Sequence, residues 1–168
     1  MTADDVIAAL ELIPHPEGGY FRETYRSPEQ LRHDALPARF RGARPMSTAI
    51  YFLVTRGSFS ALHRIAADEC WHFYAGDTLE VVSLDPRTRR ASSTLLGMDL
   101  ARGERPQAIV PAGVWFGARL ASERGEWALV GCTVAPGFDF GDFELATREA
   151  LIEELPEHAR LVDSLTRS

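Results

Sequence analysis

From Met46 onward the chain is a succession of short strand-like runs separated by turn residues, and that rhythm limits the folds open to it. The runs fall at roughly 47–55, 58–66, 69–75, 78–85, 90–97, 106–110, 114–119 and 126–134. Between them stand Arg56-Gly57, Ala75-Gly76, Asp85-Pro86, Gly103, Pro111-Ala112-Gly113 and Arg124-Gly125. Many short strands at this spacing build a sandwich or a barrel, and a jelly roll suits them. The fold class is therefore all-β. Two helical margins frame it. Thr2 and Asp5 form a capping-box pattern before Val6, Ile7 and Leu10, which predicts a helix over 3–12 ended by Pro14 and Pro16. From Glu144 the apolar period turns helical and runs to about 166, broken at Pro156. After Gly18-Gly19 a strand is expected over Tyr20 to Arg26, and residues 27–45, with Pro28, Pro37 and Pro45, read as a long surface loop. The barrel would span 19–134, within one domain covering 1–168.

Composition excludes several classes. At 168 residues and 45% apolar, the chain can bury a real core. No apolar run is long enough to cross a bilayer, and the N-terminus carries two aspartates and no basic leader. Cys70 and Cys132 are expected to be buried free thiols, which suits a cytoplasmic protein. A net charge of -6 argues against nucleic acid as partner. All 18 basic residues are arginine, so lysine Schiff-base chemistry is excluded. The cluster Arg32, Arg39, Arg41 and Arg44 reads as a solvated loop rather than a phosphate site.

The run from Gly57 to Gly76, GSFSALHRIAADECWHFYAG, carries the candidate chemistry. His63 lies six residues after the first glycine and Glu69 six residues after His63. Strand alternation puts Phe59, Ala61, His63 and Ile65 on one face, and Glu69, Trp71 and Phe73 on one face of the next strand. Cys70, His72 and Tyr74 take the opposite face. His63 and Glu69 can thus share a barrel interior. The competing reading of His63 is a core histidine satisfied by a backbone carbonyl.

This run resembles the first motif of the cupin superfamily: a glycine, five residues, His-x-His, a short gap, glutamate, six residues, glycine. Gly57, His63, Glu69 and Gly76 match it, while Ile65 stands where the second histidine belongs. Pro111-Ala112-Gly113-Val114-Trp115-Phe116 is similar to the second motif, with Phe116 in the place of its histidine. Two of the four usual metal ligands are therefore missing. His63 and Glu69 remain weak metal candidates, and no cofactor is expected, a divalent metal being the less favoured reading; His72 or His15 would have to complete a site. The strings HPEGGYFRETY, STAIYFLVT and LVGCTVAPGFDFGDFEL extend the resemblance, from about Leu10 to Leu145, to a small family of cupins without a settled function. The resemblance implies a jelly-roll barrel, a homodimer and a distant kinship to sugar-nucleotide epimerases.

The functional expectation is a pocket for a small polar metabolite. In an isomerase or epimerase His63 would be the general base, Glu69 would orient its ring, and Tyr74 or Tyr20 would return the proton. Trp71, Phe73, Trp115, Phe116 and Ile65 would form apolar walls. Glu17, Tyr20 and Arg22 would contribute a rim beside the flexible pair Gly18-Gly19. The stretch Pro136 to Phe140 reads as a turn with two anchored aromatics rather than a site. The alternatives are a binding barrel without catalysis and a metal-dependent cupin oxygenase or isomerase.

Overall fold

The computed structural model describes residues 1–167. In chain order the elements are α1 (Ala3–Leu10), β1 (Ile13–Pro14), β2 (Tyr20–Arg26), β3 (Gln30–Leu31), β4 (Arg44–Pro45), β5 (Thr48–Thr55), β6 (Phe59–Arg64), β7 (Asp68–Gly76), β8 (Leu79–Asp85), β9 (Arg90–Leu96), β10 (Gln107–Val110), β11 (Trp115–Leu120), β12 (Trp127–Ala135), β13 (Glu144–Leu145), α2 (Arg148–Glu154) and α3 (Ala159–Ser164). Single 3-10 turns lie at His33–Ala35, Leu100–Arg102, Phe140–Asp142 and Pro156–His158. Two antiparallel sheets make the barrel. One runs β1-β2-β5-β12-β7-β10 and the other β13-β6-β11-β8-β9. Phe52, Trp71, Val81, Phe116 and Val130 fill the space between them.

The helical margins differ from the sequence expectation at their edges. The Thr2–Asp5 capping box forms, with the Asp5 amide donating to Thr2 Oγ1 at 3.2 Å. Glu11 then adopts a left-handed conformation and ends α1 two residues early. Val6 and Leu12 pack on Leu53 on the outer face of the larger sheet. At the other end Glu144 and Leu145 pair with Arg64 and His63 as a strand, so the helical segment begins only at Arg148. Apolar spacing alone cannot separate a short edge strand from the first turn of a helix. Leu151, Leu155, Val162 and Leu165 cover the outer face of the smaller sheet.

Residues 27–45 are also more structured than a solvated loop. They contain the two-stranded ladder of β3 and β4, and Phe40 enters the core. Arg44 is buried in a paired contact with Asp142, whereas Arg32, Arg39 and Arg41 are exposed.

Two β-bulges decide which side chains face inward. Against β11, Phe116 pairs with His63 and Ala118 with Ser60, so three steps on β6 oppose two on β11. Ser60 and His63 therefore share the inner face, and simple alternation, which paired Ala61 with His63, fails here. The amides released by the bulge find other partners: Ala61 N donates to the Glu17 carbonyl at 2.9 Å and Leu62 N to the Leu165 carbonyl at 2.8 Å. Gly117 makes room for it, since a Cβ there would lie 2.6 Å from the Ser60 carbonyl oxygen. Gly117→Ala is expected to cost about 1–2 kcal/mol through this crowding, read as a lower urea midpoint; an unchanged midpoint would mean the bulge yields freely. A second bulge at Thr24 in β2 likewise brings Glu23 and Arg26 to one face.

Candidate functional site

The turn before β2 places the first functional group. His15 N donates to the Gly19 carbonyl at 3.0 Å and Gly18 N to the His15 carbonyl at 2.9 Å. Gly18 and Gly19 have φ of +104° and +71°, and a Cβ on Gly18 would lie 2.3 Å from the Phe59 carbonyl oxygen. This tight turn presses Glu17 through the end of the barrel until its residue exposure is 5%. The Arg167 guanidinium holds the turn from outside through the carbonyls of Glu17 and Phe59.

Inside, Glu17 sits among three side chains. Ser60 Oγ donates to Glu17 Oε1 at 2.7 Å. Glu17 Oε2 lies 3.1 Å from His63 Nε2 and 3.4 Å from His15 Nδ1. The other hydrogen bonds of these rings assign their tautomers. His63 Nδ1 is 2.8 Å from the Ala61 carbonyl and must carry a proton to bond it. His15 Nδ1 accepts from the Glu17 amide at 3.3 Å, which leaves its proton on Nε2. Both nitrogens facing Glu17 Oε2 are then lone pairs, and a proton on that oxygen turns repulsion into a hydrogen bond. Burial acts the same way and pushes the Glu17 carboxyl up to about 8, against the opposing pull of Ser60 and Arg167. Burial lowers His63, with the Glu69 charge and the Ala61 carbonyl opposing, and lowers His15 to about 4.

Glu69 enters the same cavity from β7, beside Trp71 and Cys132. Burial raises it to about 7, with His63 and the Cys132 thiol pulling down and Glu17 pushing up. Among the described residues no hydrogen bond or ion pair joins Glu69 to His63. The contacts that hold the ring come instead from Ala61 and Glu17.

The cavity offers about 70 Å³, room for roughly five water molecules. His15, Glu17, His63, Ile65, Glu69 and Trp71 line it, together with Phe21, Phe52, Cys132 and Phe138. Exposed Glu23, Arg26 and Phe140 mark its mouth. There Arg26 Nη2 meets Glu23 Oε2 at 2.7 Å and Nη1 donates to the Phe138 carbonyl at 3.2 Å. The indole N–H of Trp71, a cavity-lining side chain, is buried without an acceptor, an arrangement that an acceptor inside the cavity would relieve.

Several expected site residues lie elsewhere. Tyr20 packs on the outer face with α1, and Arg22 is an exposed partner of Glu11 at 2.7 Å. Trp115 faces outward under α2 and α3, with the Arg64 guanidinium 4.3 Å above its ring. Phe73 packs at the edge of the inner core without lining the cavity, and Phe116 backs the His63 ring at a centroid distance of 4.1 Å. Tyr74 is the bulged residue of β7 and points outward, 52% exposed. Neither tyrosine reaches the cavity. Conversely, Phe138 and Phe140, expected to be structural anchors only, form its wall and mouth. Their signal in the sequence was the aromatic spacing alone, which says nothing about what the rings cover. Cys70 is half-buried on the outer face rather than buried, and both thiols are free.

The donor set does not fit a metal ion in this arrangement. Both His63 nitrogens are engaged by protein atoms, Ile65 and Phe116 supply no donor, and His72 is turned outward toward Thr133 and Gln107. Among the described residues no group of three His, Cys, Asp or Glu side chains is spaced to hold one. Among the described residues no helix is long and apolar enough to cross a membrane.

The buried carboxyls give a pH signature. Their raised values mean that the fold favours the protonated forms. That stabilisation is fully present below the unfolded value of 4.5 and is lost as pH rises through about 7 for Glu69 and about 8 for Glu17. The lowered histidines act oppositely, losing stability as pH falls from 6.5, so just above neutrality the carboxyls dominate, and the Cys132 thiol, which burial raises well above its ordinary value, adds to the loss at higher pH. A loss of about 2 kcal/mol is expected between roughly pH 7 and 9. Urea titrations across that range measure it, and a flat profile would contradict a neutral buried Glu17.

Two antiparallel sheets packed face to face, with imidazoles and carboxyls turned into the space between them, define a cupin-type barrel. Residues 4–146 match the family model described as Cupin superfamily (DUF985), and the chain belongs to that family. It is 32% identical over 158 residues to the uncharacterized protein YML079W of Saccharomyces cerevisiae, covering 89% of this chain and 78% of that one. Its fold is similar to the crystal structure of protein SO0799 from Shewanella oneidensis, with a TM-score of 0.88, 42% identity and coverage of 99% and 98% of the two chains. A hypothetical protein from Leishmania major gives a TM-score of 0.87 at 36% identity, with both chains covered in full.

Proposed function

We propose that the cavity binds a small polar carbonyl compound and moves a proton on and off the carbon beside its carbonyl, the chemistry of an isomerase or epimerase. One observation carries this reading: two carboxyls with values near 7 and 8 face one small cavity beside two neutral imidazoles. A base is most useful when its pKa lies near the working pH. Glu69 meets that condition and is not tied into the Glu17–His63 pair. The His63 lone pair is occupied by Glu17, so the base role passes from His63 to Glu69. The His15 Nε2–H has no protein acceptor among the described residues and donates to the carbonyl oxygen, a neutral imidazole acting as electrophile. Glu17 and His63 hold one proton between them and keep His15 in that tautomer.

The volume limits the substrate to a compound of a few heavy atoms, or to the reacting end of a larger one. The kinship with sugar-nucleotide epimerases that the sequence resemblance implies would fit the second case, with the remainder of the ligand outside the mouth at Arg26. The test is solvent-deuterium exchange into small keto and hydroxy-keto compounds, with binding followed separately. Exchange that depends on Glu69 supports the reading; binding without exchange supports a barrel that holds its ligand unchanged. That second reading has one observation in its favour, the complete satisfaction of His63 by protein atoms. A cytoplasmic homodimer is part of the proposal. The outer face of the larger sheet exposes Tyr25, Tyr74 and Ile109, and light scattering of the purified protein tests it.

A further inference from the structure

A second and wider concavity opens beside the first. It has about 380 Å³ and lies between the segment before β4, the end of β6, the Ala112–Gly113 turn and the Gly141–Glu144 stretch. Ile65 lines both spaces. Three arginines, Arg39, Arg41 and Arg64, face this cleft. We infer that it binds the phosphate group of a small phosphate ester.

The hydrogen bonds show which guanidinium edges remain for a ligand. Arg39 uses its Nε on the Ala66 carbonyl at 2.6 Å, and its guanidinium is held 5.1 Å from the Phe40 ring centroid. Arg64 uses its Nε on Glu144 Oε2 at 2.8 Å and is held over Trp115. Both keep their terminal nitrogens free of protein acceptors among the described residues. Arg41 makes no hydrogen bond or ion pair there at all. Stacking on an aromatic face fixes the plane of a guanidinium while leaving its outer edge for a planar or tetrahedral oxyanion.

Charge points the same way. The cleft's two carboxylates are both taken, Asp142 by Arg44 and Glu144 by Arg64. Counting Arg44, four arginines stand against Asp142, Glu144 and Asp68, whose Oδ1 accepts from the cleft-lining Ala112 amide at 2.8 Å, so one positive charge is left over. That excess stands out on a chain of net charge -6 and suits a compact anion such as a phosphate group. The overall negative charge disfavours an extended polyanion, which would meet repulsion beyond the cleft. A solvated ion-pair surface would leave no such excess.

The inference is independent of proton transfer in the barrel, and each fails separately. The probe is inorganic phosphate, titrated at low ionic strength into nitrogen-15-labelled protein with amide shifts recorded. Saturable shifts confined to Ala66, Ala112, Gly113 and Phe143 are expected. Arg41→Gln should weaken binding at least tenfold with the melting temperature unchanged, because Arg41 supports nothing else. Glu69→Gln should leave phosphate binding as it was. Shifts scattered over the other exposed arginines, no saturation, or wild-type affinity in both Arg41→Gln and Arg39→Gln would overturn the assignment.

Discussion

Arg44→Met is expected to lower the unfolding free energy, and so the stability, by about 3 kcal/mol, because it strands a buried carboxylate. Arg44 Nε and Nη2 each meet an oxygen of Asp142 at 2.6 Å, and both side chains are 5% exposed. Nη1 is also used, on the Ala43 carbonyl at 2.7 Å. The pair ties β4 to the stretch after β12. That stretch is further held by Gly137 N on the Pro45 carbonyl and Phe138 N on Thr48 Oγ1. It carries Phe138 and Phe140 to the cavity and Phe143 to within 5.3 Å of the His63 ring centroid. Loss of the clamp should therefore reduce ligand affinity along with stability. Arg44→Met combined with Asp142→Leu removes both charges and should recover much of the loss, since a buried pair replaced by apolar groups is often near neutral. Urea denaturation of the single and double variants decides it. A double variant as unstable as the single one would put the effect in packing rather than in the stranded charge.

Sequence periodicity made the barrel legible because strands buried on one face must alternate, and the turns between them need glycine and proline. The strand Tyr20–Arg26 and the runs of β5 to β12 follow that logic to within a residue or two. Alternation also carried Glu69 and Trp71 to the interior and His72 to the outside. It failed where a bulge inserts a residue at Ser60–His63, because an extra residue leaves no mark in apolar spacing. The partnership of Glu17 with His63 was illegible for a different reason. It joins residues 46 positions apart through a turn whose depth depends on Gly18 and on the Phe59 carbonyl beneath it. The glycine pair signalled a close approach without saying what it approached. Trp115 shows the opposite failure: next to a motif position, it still faces α2 and α3, because adjacent strand residues point to opposite faces.

Glu69→Gln is expected to reduce solvent-deuterium exchange into a bound carbonyl compound by roughly 100-fold to 10,000-fold, the usual contribution of a positioned general base. Glutamine keeps the size and the polar contact beside Cys132 but cannot take a proton, so ligand affinity should change little. The wild-type rate should follow a narrow bell. It rises as Glu69 ionises near 7 and falls as the Glu17–His63 pair loses its proton near 8. Glu17→Gln separates the two limbs. Its amide oxygen still accepts from Ser60 and its amide N–H still donates to His63 Nε2, so the ring keeps its orientation, but nothing is left to ionise. The alkaline limb should flatten in that variant, and stability above neutrality should stop falling with pH. A wild-type exchange rate in Glu69→Gln would place the base elsewhere. An alkaline limb unchanged in Glu17→Gln would show that the proton held against His63 takes no part in the reaction, since removing the only carboxyl in contact with that ring among the described residues must otherwise remove its titration.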